Sequence, residues 1–132
     1  MKIKLFEKFN VLTDDDLIII CNPLTDIGFE VSIRKNLRRL SSSSIMFSKN
    51  VNFKDFYSNH VSSTNIDVEY LILKNREMSD LCKDVADACE EILPRLSEKY
   101  DITYFENASH GFEKSDIWRV WIDIKEKDNQ PF

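Results

Sequence analysis

Asp116-Ile-Trp-Arg-Val-Trp-Ile-Asp-Ile-Lys125 is the stretch on which the fold turns. Side chains alternate across a β-strand, so Trp118, Val120, Ile122 and Ile124 share one face while Ile117, Arg119, Trp121 and Asp123 share the other. The first face is wholly apolar and belongs against a core. The second is mixed, and it puts Trp121 beside an arginine and an aspartate. Tryptophan and arginine are enriched among residues that dominate binding energy, which makes Trp121 a candidate interface anchor.

Working outward, residues 101–106 (DITYFE) form a second strand. The connection ASHGFEKS between the two reads as a long hairpin loop. His110-Gly111 is placed in that connection, with glycine supplying turn backbone. A catalytic role for His110 requires a second group within hydrogen-bond reach. His60 is the only other histidine, and no spacing in the sequence brings the two together.

Before the hairpin lies a clear helix. Ser79 is a plausible N-cap, and Leu81, Val85, Ala88, Cys89, Ile92 and Leu96 recur at three- and four-residue steps that form one apolar arc. Pro94 predicts a kink or break near residue 93. Opposite the arc, Asp80, Asp84, Asp87 and Glu91 fall within about 60° of one another. Glu98 continues that line.

Further toward the N-terminus, β-branched and aromatic runs between turn residues predict strands at 2–11, 16–22 (closed by Pro23), 28–35, 44–49 and 66–74. A helical turn is placed around Phe53, Phe56 and Tyr57, followed by a polar loop. The tail after Lys125 is polar and expected to fray. Runs of strands with a single helix favour an α+β fold: a mostly antiparallel sheet of about six to seven strands with one long helix packed on one face, all in one domain spanning 1–132.

Composition sets the exclusions. The 132 residues are 42% hydrophobic and 31% charged, the balance of a soluble globular chain. The longest apolar run, LIIIC at 17–21, is far short of the ~20 residues that cross a bilayer. Charged residues near the N-terminus interrupt what would be the apolar core of a secretory signal. The three cysteines, Cys21, Cys82 and Cys89, read as reduced packing residues, and the expected location is the cytoplasm. Two glycines, Gly28 and Gly111, are too few and too far apart for a phosphate-cradling loop. Cysteine and histidine spacing matches no zinc site, and no glycine-flanked serine elbow occurs. The expectation is therefore no catalytic residue, no metal and no cofactor, although carboxylates on separate strands leave no local signature from which an enzyme would be recognised.

Charge then ranks the partners. The net charge is −5, yet Val31 to Lys54 holds six bases (Arg34, Lys35, Arg38, Arg39, Lys49, Lys54) and no acid. The first expectation is a protein-binding protein. Asp14, Asp15 and Asp16, the helix carboxylates Asp80, Asp84, Asp87 and Glu91, and Trp121 would meet a basic partner such as a nuclease, since complementary fields steer association. In general character the chain looks like the small acidic immunity or antitoxin proteins, of bacterial or phage type, that occlude a toxic enzyme. The alternative uses Arg34, Lys35, Arg38 and Arg39, with Phe29 and Phe47 nearby, to hold single-stranded nucleic acid by phosphate pairing and stacking.

Overall fold

The structure is a computed structural model that describes residues 14–35, 42–51, 57–77, 79–111 and 116–127. The strand expected at 2–11, the helical turn around Phe53 and Phe56, and the bases Arg38 and Arg39 lie outside these residues. In chain order the elements are α1 (Asp14–Ile20), α2 (Asn22–Thr25), β1 (Glu30–Lys35), β2 (Ser42–Val51), β3 (Tyr57–Ser62), α3 (Val68–Arg76), α4 (Ser79–Lys99), β4 (Tyr100–Gly111) and β5 (Asp116–Glu126). The strands make one antiparallel sheet in the order β1-β2-β5-β4-β3. The α+β class is as expected. Among the described residues the sheet has five strands rather than six to seven, and the one long helix has three short companions.

The central strand behaves as its alternation dictates. Trp118, Val120, Ile122 and Ile124 are buried, together with Ile45 and Phe47 of β2 and Phe105 of β4. Val85, Ala88, Cys89, Ile92, Leu93 and Leu96 of α4 close over them in the same cluster. The helices thus cover one face of the sheet. Pro94 does not end α4, which runs unbroken from Ser79 to Lys99, and Ser79 is already inside it rather than capping it. Pro94 is solvent-exposed, so the Glu90 carbonyl that loses its usual N–H partner lies on the wet side.

Two of the expected strands are helices. Residues 16–22 fold as the end of α1 and the start of α2, because Leu17, Cys21 and Leu24 recur at helical steps and are the residues that reach the core. Ile18 and Ile19, which look like strand interior, are 42% and 60% exposed. Three aspartates at the start of α1 also suit the positive end of a helix. Residues 66–74 likewise fold mostly as α3, where the Asp67 side chain accepts the Glu69 backbone N–H at 3.1 Å and caps the helix. Leu71 and Asn75 are buried one turn apart, and Lys74 and Arg76 occupy the last turn, where cations are favoured.

β1 begins two residues later than expected, because Gly28 is a turn residue. Its φ of 101° ends α2: the Gly28 N–H reaches the Thr25 carbonyl at 3.0 Å and the Phe29 N–H reaches the Leu24 carbonyl at 3.2 Å. That is the Schellman arrangement, with Phe29 and Leu24 buried together as its usual apolar contact. Tyr57 opens β3 instead of closing a helical turn, and His110 and Gly111 pair with Ile117 and Asp116, so they end β4 rather than lying in a loop.

One polar relay crosses the core. The Trp118 indole N–H donates to Asn107 Oδ1, and Asn107 Nδ2 donates to Asn75 Oδ1 at 3.1 Å. An indole can only donate, which fixes the orientation of both amides. It also leaves Asn75 Nδ2 as a buried donor with no partner among the described residues.

Candidate functional site

Two surfaces carry the residues singled out from sequence, and they lie on opposite sides of the molecule. The first is the outer face of α4. Asp84, Asp87 and Glu91 are exposed and, among the described residues, form no ion pair. Glu90, one position away, is instead tied to Arg76 of α3. Asp15 and Asp16 of α1 are also exposed, and Asp16 has a contact within the protein. Asp14 opens α1 and Asp80 is the second residue of α4, but their side chains lie outside what the structure describes.

The second surface is the sheet face turned away from the helices. Trp121 lies here, so a partner seated flat on the α4 carboxylates does not touch it. The face owes its composition to a β-bulge. Ile102 pairs with Ile124 but Tyr104 pairs with Asp123, leaving Thr103 as the extra residue of β4. Before it, Tyr100 and Ile102 face the core; after it, Phe105 and Asn107 do, and Tyr104 and Glu106 move to the open side. Arg34, Ser44, Asp123, Tyr104 and Ser62 then form one cross-strand row. Ser32, Met46, Trp121, Glu106 and His60 form the next.

Much of this face is paired internally. Arg119 Nε donates to Glu106 Oε2 at 2.9 Å, and its guanidinium carbon lies 5.7 Å from the Trp121 ring centre, in cation–π range. Trp121 Nε1 donates to Asp123 Oδ1 at 2.7 Å, and its ring meets Tyr104 edge-on at 6.1 Å. The Tyr104 phenol donates to Glu106 Oε1 at 2.8 Å. Burial first, then that bond and the carboxylate charge, pushes the phenol up to about 12, so it stays a donor at neutral pH. Trp121 is accordingly half-buried and held by neighbours on its own face.

At one end of the face the pairing stops. A cavity of about 470 Å³ opens over the Ser44–Asp123–Tyr104–Ser62 row, and Ser63, Thr64 and Lys125 extend its lining. The side chains of Ser44, Ser62, Ser63, Thr64 and Lys125 make no hydrogen bond or ion pair among the described residues. Their convergence has no signal in the sequence: Ser44 lies on β2, Ser62 ends β3 and Ser63 follows it, and register alone brings them together.

The two aromatics expected to stack beside the basic segment, Phe29 and Phe47, are only 4% and 0% exposed. Lys49 is occupied too, donating to the Ile27 carbonyl and lying 5.8 Å from the centre of the Phe29 ring. Arg34 and Lys35 are exposed, and Lys35 has a contact within the protein.

The two histidines are far apart in register. His60 is paired in register with Glu106, and His110 sits four residues farther along β4, roughly 13 Å at the rise of an extended strand. Cys21 and Cys89 are buried and form no disulfide among the described residues, and burial pushes the Cys21 thiol up to about 12. No cluster of metal-ligating side chains occurs among the described residues, and none of their helices is long and apolar enough to cross a membrane. No protein-family model matches the chain, and neither a curated protein nor a solved structure is significantly similar to it.

Proposed function

We propose that this protein works by binding another protein: an acidic inhibitor of the immunity or antitoxin kind that covers a basic surface on a toxic enzyme, in the cytoplasm. The observation that carries the reading is the outer face of α4, where Asp84, Asp87 and Glu91 are exposed and form no ion pair among the described residues. Carboxylates in that state keep their full field for a partner, and a rigid helix holds them in fixed spacing without an ordering cost at contact. Asp14, Asp15 and Asp16 at the start of α1 add negative charge in the same helical layer. Trp121 lies on the other side of the sheet and drops out of this interface. The nucleic-acid reading loses support with its aromatics, since a base has no ring to stack on at Phe29 or Phe47.

The test compares the wild-type chain with a variant carrying Asp84→Ser, Asp87→Ser and Glu91→Ser in affinity capture from cells of its source, followed by mass spectrometry. A basic protein is expected to be retained by the wild type at low salt, released as salt rises, and retained far less by the variant. Equal capture by both forms would reject α4 as the interface. Retardation of labelled single-stranded DNA by the wild type at moderate salt would instead favour the nucleic-acid reading.

A further inference from the structure

We propose that the cavity at the end of the open sheet face binds a neutral polyhydroxylated small molecule, a mono- or disaccharide. This site lies on the side of the sheet opposite the α4 carboxylates and stands independently of the partner proposed for them. At about 470 Å³ it falls in the range of small-molecule sites, roughly 300–1,000 Å³. Unlike most such sites, its lining is dominated by hydroxyls.

The chemistry of the lining selects the ligand class. Ser44, Ser62, Ser63 and Thr64 each carry a hydroxyl that both donates and accepts, and none is engaged among the described residues. Asp123 takes the Trp121 indole on Oδ1, which leaves its second oxygen as an acceptor. The Tyr104 phenol donates its proton to Glu106, so its own oxygen remains free to accept. Lys125 contributes a donor. A sugar hydroxyl also donates and accepts, so a ring bearing several of them satisfies both kinds of group at once. An apolar ligand would strip water from these groups and return nothing.

Charge argues against ions. Asp123 and Asp101, the latter paired in register with Lys125, offset Lys125 and Arg34, which is paired in register with Ser44. An anion therefore finds no net positive field, and a cation must compete with the ammonium already present. The Tyr104 ring supplies an apolar wall against which the C–H face of a pyranose packs.

The experiment is a ¹H–¹⁵N NMR titration of the full chain with glucose, galactose, N-acetylglucosamine, maltose and cellobiose, each carried into the tens of millimolar. Inorganic phosphate and glycerol are titrated alongside. The Trp121 indole N–H, held by Asp123, is the reporter, and the Trp118 indole, buried on the other face, is the internal control. At least one sugar is expected to shift Trp121 saturably while Trp118 stays in place. Asp123→Asn keeps an acceptor for Trp121 but removes the charged oxygen, and it should weaken that sugar at least tenfold. Ser62→Ala, an exposed change on an edge strand that spares the fold, should weaken it measurably as well. The proposal is overturned if none of the five sugars moves Trp121, if phosphate moves it at lower concentration than any sugar, or if the shifts are linear and matched by glycerol.

Discussion

Replacing Asn107 with leucine should be far more damaging than replacing Asn75, although the two amides touch and are equally buried. Asn107 stands in the middle of the relay. Its removal deprives the Trp118 indole N–H of the Asn107 acceptor and Asn75 Oδ1 of the Asn107 donor, in a place water does not reach. Each buried group so deprived costs about 1–3 kcal/mol; burying leucine in place of an amide recovers part of that, so a net loss of about 2–4 kcal/mol is expected. Asn75→Leu works differently. It takes the Asn75 acceptor away from Asn107 Nδ2, but it also removes Asn75 Nδ2, which has no partner among the described residues. One lost bond is offset by the removal of one unsatisfied donor, and the change should stay within about 1 kcal/mol. Urea unfolding followed by far-ultraviolet circular dichroism measures both, and unchanged m-values would show that the native and unfolded states keep their extents. Equal losses for the two variants, or a larger loss for Asn75→Leu, would refute the directional relay.

Two further outcomes follow from local geometry. Gly28→Ala should cost about 1–2 kcal/mol, because an L side chain resists the 101° φ and the added Cβ would stand 3.2 Å from Lys49 Cε, on the side chain that holds the Ile27 carbonyl; thermal unfolding reads it directly. Cys21 makes stability fall with rising pH. Its thiol titrates at 9.0 when free and near 12 when folded, so between those values the unfolded chain has lost a proton the native state keeps. The slope should approach 1.4 kcal/mol per pH unit at most, and Cys21→Ala should remove that part of the decline in a series of urea melts from pH 8 to pH 11.

How much was legible in the sequence varies by element. The alternation in 116–125 and the three-and-four spacing in α4 were each strong enough to place their residues, since Trp118, Ile122, Ile92 and Leu96 are all fully buried. The signals missed in α1 and α3 were present but outvoted. Leu17, Cys21 and Leu24 keep helical steps, and Asp67 caps α3 as an N-terminal aspartate does, yet the β-branched runs beside them read as strand. Ile18, Ile19 and Leu73 turned out to be exposed, so their apolar character said nothing about the core. The α4 carboxylates were also legible, because a helix fixes its own faces whatever it packs against.

The sequence by itself determined what repeats locally: the long amphipathic helix, the two-faced central strand, the absence of glycine-rich and zinc-type motifs, and the uneven charge. Only the tertiary structure decided which groups share a site. The bulge at Thr103 chooses the side on which Tyr104 and Glu106 emerge, and strand order then sets Ser44, Asp123, Tyr104 and Ser62 in one row although they are distant in the chain. It also set Trp121 apart from the α4 carboxylates and buried Phe29 and Phe47. The physical reason is that periodicity is a property of neighbours along the backbone, whereas register, bulges and layer packing are chosen by contacts between segments far apart in sequence.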